Sequence, residues 1–210
     1  MRQVRCQLNR QQSRPRGTLA DFLASTGRRW GEVTALQVGD LDTARRRINV
    51  QRIAVMVGGP IIVGTPKSHE SRSVQYPIFL IDRLADESKN KSRVDLLFGD
   101  GINFLQPPDP RNGWWVRAIA ASRELDPAFP EGLTRHDLRH TAATLAVSAG
   151  TNVKTVQRML GHDSAAMTLD VYADLFDDDL DNVANALNSA RLASNVGKVW
   201  ASDRVTEHET

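Results

Sequence analysis

Leu133 to Tyr172 reads LTRHDLRHTAATLAVSAGTNVKTVQRMLGHDSAAMTLDVY, and the rest of the chain is best understood outward from it. Thr134 followed three residues later by Asp137 is a capping-box pattern, in which side chains satisfy backbone N–H groups that a first helical turn leaves free. A helix is therefore predicted to open near residue 134. At about 100° per residue, Leu138, Ala142, Leu145 and Ala149 form one apolar stripe, with His136, Arg139, His140 and Ala143 roughly opposite. Val147 also falls on the polar side, so both faces should be at least partly covered. Gly150 is placed to end the helix in a left-handed residue and Asn152 to cap the next. That second helix should pack through Val153, Val156 and Leu160 and stop at Gly161, delivering His162 at a helix end. Tyr172 follows ten residues on. A phenol, imidazoles and a guanidinium thus recur where helix geometry can bring them together, and no cofactor or metal cluster is evident beside them.

The chain has 210 residues, of which 40% are apolar, enough for the core of one ordinary domain with tails. The lone Cys6 cannot form an internal disulfide, and the sequence shows no signal peptide and no run of about 20 apolar residues, so a cytoplasmic, non-membrane protein is expected. Net charge is only +2, but its distribution is uneven. Met1 to Gln75 carries 13 Lys or Arg against 5 Asp or Glu, whereas Asp163 to Leu187 carries seven Asp and no base. One end suits phosphate and the other does not, with plain solvated charge as the alternative.

Met1 to Gly17 is basic, lacks apolar periodicity and is expected to be a disordered arm. Thr18 can cap a helix through Leu19, Phe22 and Leu23, and Gly27 permits a turn. A second helix is predicted from about Gly31 to Leu36, which puts Arg29 at the turn and Glu32 at i,i+3 spacing to pair with it. Arg28 reads as a solvated side chain, with an extra phosphate contact as the alternative. Arg47 to Val57, Ile61 to Val63 and Ser71 to Tyr76 read as an antiparallel sheet of three strands, with Lys67 in the connection before the third. Ile78 to Glu87 is a predicted helix burying Ile78, Ile81, Leu84 and Ala85. Val94 to Phe98 is a short buried run. Asn112 to Leu125 is a further helix, whose Trp114 and Trp115 serve packing rather than base stacking. Beyond Tyr172, Asp177 to Asp179 precede Val183, Ala184, Leu187 and Leu192 at helical spacing, and Ala193 to Thr210 is a polar tail.

Four motifs in order resemble the tyrosine recombinase, or phage integrase, family. They are Thr26-Gly-Arg-Arg29-Trp-Gly-Glu32-Val-Thr-Ala-Leu36, Thr65-Pro-Lys67-Ser-His-Glu-Ser-Arg72-Ser-Val, His136-x-x-Arg139-His140 with Leu160-Gly161-His162, and Tyr172; the resemblance covers roughly Thr18 to Asn185. It implies an α+β fold, a mostly helical catalytic domain with a small antiparallel three-stranded sheet, spanning residues 18–192. It implies strand cleavage and rejoining in double-stranded DNA through a 3′-phosphotyrosine, with no cofactor. Tyr172 would be the nucleophile, Arg29 and Arg139 the clamp on the phosphate, Lys67 the proton donor to the leaving 5′ oxygen and His162 a phosphate ligand. His136 is expected to take the phenolic proton, while Glu32 and His140 are expected to support. The helix after Tyr172 would pack on a neighbouring subunit, as in a tetrameric synapse, or on its own domain. The family pattern has an aliphatic residue where Arg28 stands, and a separate helical DNA-binding domain ahead of the catalytic one, expected here to be absent. A shortened, impaired remnant that only binds DNA is therefore the second reading.

Three rivals come from other classes. His136 and His140 have the i,i+4 spacing of a helical zinc site, with His162 a third ligand, although Asp137 stands where a zinc hydrolase has its Glu base. Thr141 to Met159 fits a helix-turn-helix loosely but leaves Arg29, Lys67 and Tyr172 unexplained. A type IB topoisomerase shares the chemistry, but the short chain and the Leu-Gly-His context favour integrase.

Overall fold

In the computed structural model, residues 14–65, 72–172, 185, 187–189 and 191 are described. Residues 1–13 of the arm expected over 1–17, Lys67, Asp177 to Asp179, Val183, Ala184, Leu192 and the polar tail lie outside them. The fold is α+β, mostly helical with small antiparallel sheets.

Helix α1, Arg14–Thr26, begins earlier than the expected cap at Thr18. Pro15 falls in its first turn, where a missing N–H costs nothing, so Arg14 and Arg16 on either side of it are helical and not part of an arm. Leu19, Phe22 and Leu23 go inward, each burial contributing on the order of 2 kcal/mol. Phe22 meets Phe98 edge-on at 5.4 Å. Helix α2, Trp30–Thr34, follows at once and buries Val33.

Strand β1 (Leu41–Asp42) pairs with β2 (Arg47–Val50), which pairs on its other side with β5 (Arg72–Gln75). β3 (Ile53–Met56) and β4 (Ile61–Gly64) form a separate hairpin. The single strand expected over Arg47 to Val57 is thus two, and the expected return strand Ile61 to Val63 does not join the three-stranded sheet. The break comes at Gln51 and Arg52, where the Arg52 guanidinium is anchored on Asp40 at 2.5 Å. Ile48 faces Val74 across the sheet, and both are buried.

Ile78–Leu80 is a 3₁₀ turn that runs into helix α3, Ile81–Ser88. Its three-residue period shifts the helical phase, so Leu80, Leu84 and Glu87 point inward, while Ile78 and Ile81 are exposed, contrary to the face predicted from a uniform 3.6-residue repeat. Val94 is likewise exposed, and only Leu96 to Phe98 of that run is buried. Helix α4, Trp114–Leu125, buries Trp115, whose indole N–H donates to the Leu133 carbonyl at 2.6 Å and so ties α4 to the start of the decisive stretch.

Helix α5, Asp137–Ser148, packs along α1. Thr134 and Asp137 form the expected cap, with the Thr134 N–H donating to the Asp137 carboxylate at 2.7 Å. The buried face differs from the expected stripe: Leu138 and Ala142 are inside, but so are Arg139, Ala143 and Val147, while Leu145 is 59% exposed. The cause is a second layer. Helices α6 (Val153–Leu160) and α7 (Ala165–Tyr172) close over Ala143 and Val147 and form a smaller core with Val156, Leu160 and Tyr172. Asn152 caps α6 by accepting from the Thr155 N–H at 2.9 Å, and Gly161 ends it at φ 69°.

Candidate active site

Arg29 is the N-cap of α2, and its neighbour one turn on, Glu32, reaches back to it. The Arg29 N–H donates to Oε2 of Glu32 at 3.2 Å and its guanidinium to Oε1 at 3.3 Å. Half-exposed at its tip, Arg29 is aimed by a carboxylate that is itself buried. Arg72, brought in by β5, donates to the same Oε1 at 3.3 Å. Arg28 approaches Oε2 at 3.7 Å from the inside.

Arg28 is 1% exposed, so the expectation of a solvated side chain is corrected. It sits in a turn between two helices with its side chain packed inward at the floor of the cleft, and burial pulls its pKa to about 10 against the pull of Glu32. None of its nitrogens has a hydrogen-bond partner among the described residues.

Arg139 enters from α5. Its guanidinium donates to the Gly27 carbonyl at 2.6 Å, and burial, then Arg29 and Arg28, lower its pKa to about 10. Gly27 stands at φ 64°, with Ala142 and Leu160 so close that it marks the crossing of α1, α5 and α6. Four guanidiniums around the single Glu32 carboxylate leave a surplus of three positive charges in this cluster. Arg28, Arg29 and Arg139 line one cleft of about 430 Å³ with Trp30, His136 and the β3–β4 hairpin, and Arg135 stacks on Trp30 at 4.9 Å. A cleft so charged is suited to an anion. At the effective dielectric near a protein surface, each guanidinium about 4 Å from a phosphate contributes on the order of 4 kcal/mol of attraction, against about 1 in bulk water.

The end of α7 sets Tyr172 beside this cluster. Its ring is buried among Ala143, Val147, Val156 and Leu160, and its hydroxyl lies 2.8 Å from Nδ1 of His140. Burial raises the phenol's pKa, with Arg139 opposing. His136, one turn before His140, sits exposed at the cleft, its ring edge-on to that of His140 at 5.1 Å. The phenol's partner is therefore His140, not the expected His136. Burial, then His140 and Arg139, lower the His136 pKa.

His162 leaves the end of α6 and turns its Nδ1 to the Thr168 hydroxyl at 2.9 Å. Gln157 fixes its backbone by donating to the His162 carbonyl at 3.0 Å. Burial, then Arg139 and Arg29, depress its pKa to about 4, which leaves it neutral at pH 7. Among the described residues no group of three His, Cys, Asp or Glu side chains is placed to hold a metal ion, so the structure offers the zinc reading no third ligand for His136 and His140.

Arg29, Glu32, His136, Arg139, His140, His162 and Tyr172 are thus gathered by α2, α5, α6 and α7; Lys67 lies outside the described residues. Arg28, Arg72 and Thr168 join them. Arg28 and Arg72 lie within or beside the motifs but are not among the expected site residues, and Thr168 is identified only by tertiary packing. The model of the phage integrase family matches residues 6–178. The chain belongs to that family. An integrase of the prophage phiRv2 from Mycobacterium tuberculosis is 34% identical over 148 residues, 67% of this chain and 38% of the relative. The transposase of transposon Tn916 from Enterococcus faecalis is 30% identical over 163 residues, 72% of this chain and 40% of the relative. This integrase-family chain therefore spans about two fifths of the length of those relatives. The Tn1549 transposon integrase, solved in complex with transposon right end DNA, superposes with a TM-score of 0.63 at 26% identity, over 80% of this chain and 58% of that one. The catalytic domain of bacteriophage HP1 integrase shares the fold, with a TM-score of 0.59 at 20% identity over 88% of this chain and 89% of that one. No described helix of the integrase-family chain is long and apolar enough to cross a membrane.

Proposed function

We propose that this chain cleaves and rejoins strands of double-stranded DNA at specific sites, through a 3′-phosphotyrosine formed on Tyr172. The observation that carries the reading is the convergence of a buried phenol with a cluster of guanidiniums in surplus over their carboxylate. A phosphodiester repels nucleophiles, and negative charge grows as a fifth oxygen approaches phosphorus. Arg29 and Arg139 fork onto the non-bridging oxygens and stabilise that charge where it develops. Glu32 holds Arg29 in place. His162, neutral and fixed through Nδ1 by Thr168, hydrogen-bonds the phosphate through its other ring nitrogen, and His136 lines the cleft with Arg29 and Arg139. Lys67 protonates the leaving 5′ oxygen, a role that rests on the family resemblance. The ester on Tyr172 conserves the bond energy, so a second 5′-hydroxyl can rejoin the strand, and four protomers on two duplexes would exchange strands in the cytoplasm. Family membership and the DNA bound to the Tn1549 transposon integrase support this substrate.

The test is incubation with a pool of randomised duplexes carrying a nick, which lets the cut fragment diffuse away and traps the protein on the strand. The wild-type chain should yield adducts stable on a denaturing gel, and Arg139→Ala and Tyr172→Phe should yield none. Binding without any adduct would favour the impaired remnant.

A further inference from the structure

Tyr172 must release its phenolic proton as it attacks, and burial holds that proton more firmly than water would. The only imidazole nitrogen brought within hydrogen-bond distance of the hydroxyl among the described residues is Nδ1 of His140, at 2.8 Å. The placement is enforced from both sides. Ala143 and Val147 on α5, with Val156 and Leu160 on α6, enclose the Tyr172 ring, and α5 presents His140 one turn before Ala143. His136 lies a turn further back and exposed, lining the cleft with Arg29 and Arg139.

We infer that His140 is the general base for Tyr172, a catalytic residue in its own right, and that His136 serves the phosphate instead. The inference rests on the recombinase reading and assigns within it the group that takes the proton. As the phenolic oxygen bonds to phosphorus, its proton passes to Nδ1 of His140, giving an imidazolium. The bond from phosphorus to the 5′ oxygen breaks with its electron pair on that oxygen, which is protonated by Lys67. Rejoining reverses each transfer: the 5′-hydroxyl attacks, the phenolate departs, and His140 returns the proton. The groups facing His140 are His136, Asp137 and Arg139 on its own helix, His162 from the end of α6 and Tyr172 from α7. Asp137 is the one carboxylate among them.

The experiment is single-turnover cleavage, across pH, of a duplex recovered from the nicked pool, alongside the same duplex with sulfur bridging at the 5′ position. A thiolate leaves without a proton, so sulfur rescues a lost acid and not a lost base; Lys67→Ala is the acid control. His140→Gln should slow cleavage by about 10²- to 10⁴-fold, gain nothing from sulfur, and lose the limb on which the rate rises with pH, which His136→Gln keeps. His140→Ala supplied with free imidazole should recover activity, which a purely structural role would not permit. Cleavage by His140→Gln as fast as or faster than wild type, rescue by sulfur, or no response to imidazole overturns the inference. If the wild-type chain forms no adduct, the recombinase reading itself fails. If it does and Tyr172→Phe does not, a null result at His140 refutes this assignment alone.

Discussion

Glu32 is 1% exposed and faces Arg28, Arg29 and Arg72 at once, so its removal and the removal of its partners should differ sharply. Glu32→Gln leaves Arg28 buried without a counter-charge, a change that costs about 3–5 kcal/mol in comparable buried pairs. Arg28→Met fills similar space, removes a cation with no hydrogen bond, and relieves repulsion on Arg139; its stability should stay within about 1 kcal/mol of wild type. The double variant should recover part of the Glu32→Gln loss, a coupling that urea denaturation of the four proteins measures. His162 makes a prediction in pH. Its folded pKa, about 4, lies below the ordinary 6.5, so between these values the unfolded chain binds a proton that the native one refuses, and stability is lost as pH falls. Glu87, raised by burial to about 6 from 4.5, acts in the opposite sense, losing stability as pH rises through that window. The contrast with His162→Gln separates them: urea midpoints at about pH 7.5 and about pH 5 should fall further on acidification in wild type than in the variant.

At the scale of elements, α6 is bounded by two glycines that look alike in sequence and differ in what surrounds them. Gly150 stands at φ 77° with open space where a Cβ would be; Gly161 stands at φ 69°, and a Cβ there would overlap the Arg72 guanidinium. Gly150→Ala should lose only the left-handed backbone cost, on the order of 1 kcal/mol, and keep its cleavage rate. Gly161→Ala should lose more stability and also slow cleavage, because Arg72 is pushed off Glu32 and Arg29 loses its alignment. Urea denaturation and single-turnover cleavage of the pair check both parts. Equal losses would show that Arg72 is a bystander. Both glycines were legible as helix stops, as were the Thr134–Asp137 cap and the Arg29–Glu32 spacing, since each is a signal carried within four residues. The inward face of α3 was not, because a 3₁₀ turn changed its phase. Nor was that of α5, because a second helical layer claimed Ala143 and Val147.

Over the whole molecule, what the sequence concealed is what depends on distant partners. The alternation from Arg47 to Val57 marks strands correctly, but whether β2 pairs with β4 or β5 is set by the kink that Arg52 and Asp40 hold. Arg28 is hydrophilic and stands beside a motif, yet the crossing of α1, α2 and α5 buries it. The contact of His140 with Tyr172 joins residues 32 apart in the chain, so the local i,i+4 spacing of His136 and His140 could not disclose it. Of the motif residues, Arg29, His136 and Arg139 line one cleft, and Tyr172 is set against His140 on the same helix as the last two. On the proposed mechanism Tyr172 becomes joined to the 3′ phosphate of a cut strand. Nuclease and protease digestion of the trapped adduct, followed by tandem mass spectrometry, reads that bond directly. The expected spectrum carries a nucleotide mass on the Tyr172 side chain, linked through a 3′ phosphate with a free 5′-hydroxyl on the other fragment; a nucleotide on any other residue, or a 5′ linkage, would refute the phosphotyrosine mechanism.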